Sequence, residues 1–128
     1  MKIKLTSVHV DDQEKALRFY TEILGFVKKN DFSQGSYRWL TVVSPEEPDG
    51  TELVLEPDDN PAAKAYQQAL LEQNIPAAMF FTDDVKADYE RIKAAGGDFK
   101  MPPTDTTGSI IAQVNDGCGN LVQITQLR

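Results

Sequence analysis

The pair Asp11–Asp12 returns as Asp83–Asp84 72 residues later, and Gly25 returns as Gly97 at the same distance. In each copy the aspartates close an alternating stretch and open a helical one. In "IKLTSVHV", Ile3, Leu5, Ser7 and His9 share one face of a strand, and Lys4, Thr6, Val8 and Val10 the other. "QEKALRFYTEILGF" places Ala16, Phe19, Tyr20, Ile23 and Leu24 on one helical stripe. Asp11 or Asp12 caps its start, and Gly25 supplies a left-handed stop. Strands follow near "FVKKND", "YRWLTVV" and "TELVLEP". The second copy runs through "IPAAMFFTDDVKADYERIKAAGGDF" to strands near "DFKMPP", "SIIAQVND" and "LVQITQL".

A repeat that carries strand, cap, helix and stop together predicts one supersecondary unit built twice. The expected fold is α+β, with two βαβββ modules in tandem. Module 1 covers residues 1–57 and module 2 residues 75–128, joined by a helix over about 61–74. Pro61 opens that helix, and Ala65, Tyr66, Ala69 and Leu70 share one side of it. One helix covers only one face of a four-stranded sheet, so two curved mixed sheets set side by side can turn their bare faces into a shared cleft.

At 128 residues and 41% hydrophobic, the chain suits a single domain with a real core. The net charge of −7 argues against nucleic acid as a partner, because such binding needs Lys and Arg on the phosphates. An acidic surface favours a cationic ligand instead. Cys118 is the single cysteine, which excludes an internal disulfide and suits a reducing cytoplasm. No apolar run approaches the ~18 residues of a membrane span, and "MKIKLTSV" enters a strand pattern without a signal-peptide core. No phosphate loop, dinucleotide fingerprint or nucleophile elbow is present.

"VDDQEKALRFYTEILGF", "TDDVKADYERIKAAGGDF" and the closing "NDGCGNLVQI" together resemble the vicinal oxygen chelate superfamily. That superfamily includes glyoxalase I, extradiol dioxygenases, fosfomycin-resistance enzymes and bleomycin-resistance proteins. The resemblance implies the paired-module fold over essentially the whole chain. It also implies where metal-dependent members carry their ligands: Leu5 and Ala77 for the two imidazoles, Glu56 and Gln123 for the two acids. Of these four, only Glu56 is a good donor, whereas a tight zinc, nickel, iron or manganese site needs three or four. No metal and no other cofactor is therefore expected.

His9 shares the Leu5 face but lies about 13 Å further along the strand, so it suits the rim of the cleft better than the missing ligand position. Glu56 and His9 are the two candidates for acid–base work, and Glu56 could also bind a ligand amine. The expected cleft is lined by Leu5, Ser7, His9, Trp39, Glu56, Ala77, Met79, Phe81 and Gln123. Trp39 suits a pocket floor, although core under a helix is the commoner fate of a strand tryptophan. Met79 and Phe81 make the second half of the cleft apolar. Cys118, on a glycine-flanked turn, reads as an exposed thiol with no histidine placed to activate it.

The leading functional expectation is a metal-independent small-molecule-binding protein, of the antibiotic-sequestering or general ligand-binding kind. By resemblance it is a homodimer with clefts at the subunit interface. The alternatives are a glyoxalase-type lyase, isomerase or dioxygenase with a displaced metal site, and a non-catalytic partner-binding module.

Overall fold

The computed structural model describes all 128 residues. β1 (Leu5–Val10) leads into α1 (Gln13–Arg18), which continues as a π-helical turn over Phe19–Ile23. β2 (Val27–Gln34), β3 (Tyr37–Val43) and β4 (Glu52–Pro57) complete the first module, and α2 (Pro61–Glu72) links it to the second. There β5 (Ala78–Phe81), α3 (Val85–Ala94), β6 (Asp98–Asp105), β7 (Ser109–Asn115) and β8 (Leu121–Leu127) repeat the order. The sheets run β1-β4-β3-β2 and β5-β8-β7-β6, each with one parallel pair, β1/β4 or β5/β8.

The aspartates act as the repeat predicts, and the second of each pair is the cap. Asp12 accepts from Lys15 N–H and Asp84 from Ala87 N–H, each at 3.0 Å. Replacing either by alanine should cost about 1 kcal/mol of stability. Asp11→Ala and Asp83→Ala should stay within about 0.5 kcal/mol of the parent in thermal unfolding.

The glycine stops differ from the 72-residue rule. Gly25 (φ 97°) and Gly96 (φ 102°) are the left-handed residues, and Gly97 follows the stop. The π-turn is the reason: Leu24 N–H reaches back five residues to Phe19 O at 3.0 Å. That wider turn inserts one residue into the first helix, so its stop falls 71 rather than 72 residues before that of the second.

On the helix side, Val8, Val10, Leu40, Val42, Leu53 and Leu55 from the first sheet join Ala112, Val114, Val122 and Ile124 from the second in one core. Tyr20 and Phe26 reach across the modules to Phe80, with ring centroids 6.4 Å and 5.0 Å apart. Arg91 on α3 donates to Ile23 O and Leu24 O at 3.0 and 3.1 Å, tying the two helix ends together. The modules are thus joined through their covered faces, and no helix covers the opposite faces, although Thr41, Val54 and Thr125 within them are buried.

A second tie is polar. Gln67 on α2 is buried and donates from Nε2 to His9 O and Cys118 O, both at 2.9 Å. Asn120 Nδ2 also donates to His9 O, at 2.7 Å, and to Asp116 Oδ2, at 2.7 Å. Tyr20 OH donates to the same Asp116 oxygen at 2.8 Å. This network corrects the expectation for Cys118 and adds a buried residue that the sequence reading did not single out. Tyr66 is 64% exposed, and its neighbour Gln67 is the buried residue of α2. Cys118 is fully buried rather than exposed, and burial pushes its thiol up to about 12, which leaves it inert.

Candidate functional site

The bare faces hold the residues singled out from the sequence. On the first sheet, Ser7 pairs with Val54, His9 with Glu56, and Phe32 with Trp39. Alternation puts Leu5, Ser7, His9, Phe32, Tyr37, Trp39, Thr41, Val54 and Glu56 on this one face. Phe32 is 60% exposed, and Trp39 beside it is half-buried. The tryptophan therefore belongs to the bare face and not to the core beneath the helix.

Two acids on this face have different surroundings. Glu52 Oε1 accepts from Thr41 Oγ1 at 2.7 Å and Asn30 Nδ2 at 2.8 Å, and these bonds hold its carboxyl below the usual range. Glu56 receives only the Tyr37 hydroxyl, at 3.3 and 3.4 Å, so its oxygens keep free acceptor capacity. Burial, with the Glu56 charge beside it, raises the Tyr37 phenol. His9, Glu56 and Tyr37 thus lie together at one end of this face, apart from the satisfied Glu52–Thr41–Asn30 cluster.

Arg38 lies on the opposite face and serves structure. Its Nε and Nη2 clasp Asp31 at 2.8 Å each, and Nη2 also reaches Glu14 at 3.1 Å. The hydrogen bonds from Arg38 lower the Asp31 carboxyl from 3.8 to about 2. A depressed folded value means that the stabilisation is full above the ordinary value and is lost as pH falls from 3.8 towards about 2. Asp31→Asn should therefore be less stable than the parent at neutral pH, and the two unfolding curves should converge in that acid window.

The second bare face is quieter. Met79 pairs with Gln123 and Phe81 with Thr125, and Met79 and Phe81 are 55% and 64% exposed. Ala77 lies just before β5, its N–H held by Leu121 O at 2.8 Å. The Gln123 amide is taken up locally, accepting from Gln113 at 3.1 Å and donating to Thr125 Oγ1 at 3.2 Å.

Strand register sharpens the question of a metal. Met79, which pairs with Gln123, is the 72-residue counterpart of Ser7, and Ser7 pairs with Val54. Val54, not Glu56, therefore holds the register position equivalent to Gln123. Leu5, Val54 and Ala77 have no donor atom, and Gln123 offers one neutral oxygen. No three His, Cys, Asp or Glu side chains come close enough within the chain to hold an ion. These residues do not fit a divalent metal.

The model of the Glyoxalase/Bleomycin resistance protein/Dioxygenase superfamily matches residues 2–124. The chain belongs to that superfamily. Within the superfamily, it is 50% identical over 126 residues to YurT of Bacillus subtilis (strain 168), covering 98% of this chain and 99% of YurT. A probable lactoylglutathione lyase of Vibrio cholerae serotype O1 is 28% identical, covering 98% of this chain and 90% of the lyase. Among solved structures, TnmS3, an antibiotic binding protein from Streptomyces sp. CB03234, superposes with a TM-score of 0.80 at 30% identity. The match covers 100% of this chain and 97% of TnmS3. The superfamily fold and the two mixed sheets agree with the expectation from the repeat.

One feature of the site was missed at the level of sequence. Phe32 belongs to the bare face with Tyr37, Trp39 and Glu56, yet it lies beyond the point where "FVKKND" reads as a strand. The longer β2, with its irregular register between Lys28 and Asn30, brings Phe32 opposite Trp39.

Proposed function

We propose that the protein is a metal-independent small-molecule binder, of the antibiotic-sequestering or general ligand-binding kind. The observation that carries this reading is the chemistry of the two bare faces. Phe32 and Trp39 share the first face with one underused carboxylate, Glu56, Met79 and Phe81 stand exposed on the second, and no metal-donor set accompanies them. Such a surface suits an aromatic ligand with a cationic group, stacked on Trp39 and anchored at Glu56. The antibiotic-binding character of TnmS3 supports the class of ligand, and the net charge of −7 favours a cation. The exposed Leu5, Phe32, Met79 and Phe81 favour a homodimer, in which the first sheet of one protomer faces the second sheet of its partner. The free thiol suits a reducing cytoplasm.

Trp39 is the sole tryptophan and reports on this site directly. Titration with bleomycin, a cationic aromatic probe, should quench its fluorescence in a saturable way. Glu56→Gln should weaken the affinity about tenfold, the equivalent of ~1.4 kcal/mol. Light scattering should give the mass of two chains. A monomer, or a Trp39 signal that no compound in a broad library of cationic aromatics perturbs, would overturn the reading.

A second reading, a lyase or dioxygenase with a displaced metal, draws on the His9–Glu56 pairing and on the similarity to the Vibrio protein. Metal analysis of protein purified without chelator decides between them. Stoichiometric zinc, nickel, manganese or iron that disappears in Glu56→Ala would favour the enzyme.

A further inference from the structure

The two modules differ at the strand end that faces the neighbouring module, and the difference leaves an opening. The end of β1 is sealed by the β7–β8 turn. Asp11 N–H donates to Cys118 O at 3.2 Å, and Cys118, Asn120 and Leu121 are all buried there. The matching turn beside the end of β5 is the β3–β4 connection, "SPEEPDGT". Its residues Pro45–Asp49 are exposed and fill nothing.

What remains is a groove of about 800 Å³ between residues 80–84 and 44–46. That volume lies within the ~300–1,000 Å³ range of small-molecule sites. Its floor includes Phe26, Phe80 and Ile124, which belong to or pack against the core. It therefore opens mainly on the helix side of the sheets, with Phe81 of the second bare face at its edge.

The rim is acidic, and most of its charged groups are already engaged. Asp84 caps α3, Asp88 accepts from Thr82 and pairs with Arg91, and Arg91 is held by two carbonyls. Asp83 and Glu46 remain, their carboxylates free of any ion pair in the chain. An apolar floor under two uncommitted negative charges complements an apolar body that bears a positive group.

We propose that this groove is a second binding site, taking a small molecule with a protonated amine on an aromatic body. It rests on the broken symmetry of the two turns and, apart from the shared Phe81, is independent of the bare-face reading.

Three probes that share one ring system separate charge from shape: tryptamine, indole and indole-3-acetate. Amide chemical-shift titration of the protein should show tryptamine perturbing residues 82–84 and 44–46, with indole weaker and indole-3-acetate weakest. Asp83→Asn and Glu46→Gln, both at exposed positions, should each weaken tryptamine about two- to fivefold and leave indole unchanged. Equal responses to the three probes would overturn the amine preference. Silence at these amides, or shifts confined to residues around Trp39 and Glu56, would overturn the site while leaving the bare-face reading standing. A groove response without any response at Trp39 would uphold the groove, whatever the outcome of the wider titration at Trp39.

Discussion

Asp116→Ala should unfold at a markedly lower urea concentration than the parent, with a loss of about 3–4 kcal/mol. The carboxylate accepts four bonds: Tyr20 OH and Asn120 Nδ2 on one oxygen, the Cys118 and Asn120 backbone N–H groups on the other, at 2.7–3.0 Å. All four donors are buried, and alanine leaves each without its partner. Unsatisfied buried donors cost about 1–3 kcal/mol apiece in isolation, and a coupled network loses less than the sum. Burial also holds the Asp116 carboxyl above the usual carboxylate range, against the pull of those donors.

The pH dependence follows from that direction. A raised folded value makes the contribution full below the ordinary carboxylate value, and it declines as pH rises through the folded value. Urea unfolding of parent and variant should therefore show a gap that narrows with rising pH. A gap that widened would show that the donors, not burial, govern the proton on Asp116.

Gly119→Ala attacks the same junction through the backbone, at an expected cost of about 2–5 kcal/mol. Gly119 has φ 100°, in the left-handed region where a side chain is strained. An added Cβ would also lie 2.5 Å from Gln67 Nε2 and 2.9 Å from its Cδ. Gln67 is buried and bound to two carbonyls, so it cannot move without abandoning His9 O and Cys118 O. Gly35→Ala is the control, because it shares the positive φ of 62° but a Cβ there meets nothing. It should lose only the conformational part, about 1–2 kcal/mol by calorimetry. Equal losses at the two glycines would remove Gln67 from the explanation.

The module repeat was legible because its signals are local. Alternation in "LTSVHV", the Asp12 and Asp84 caps and the apolar stripe through Ala16, Phe19 and Tyr20 each need only a few neighbouring residues. The same alternation put Trp39 with Tyr37 and Glu56 with Val54 on the correct sides of their strands. The junction was not legible, because its partners come from opposite ends of the chain. A glutamine beside a tyrosine on a helix reads as the solvent-facing member of the pair. Gln67 is buried only because His9 and Cys118 present carbonyls that take its hydrogens. The same long reach hides Cys118 beneath a turn whose two glycines suggest exposure. Glu56 illustrates a subtler limit: an acid two residues from the equivalent register position looks correct in one dimension, and only the pairing of Ser7 with Val54 exposes the shift.

The junction also bears on how the chain is made. Tyr20 waits for Asp116, and His9 waits for Asn120, separations of 96 and 111 residues. On a ribosome, β1 and α1 emerge about a hundred residues before the groups that close over them. They therefore keep an open core edge until β8 and the turn before it have been made. Truncation within the last dozen residues should accordingly abolish soluble yield, because it removes the strand that pairs with both β5 and β7 and also leaves β1 and α1 unsealed.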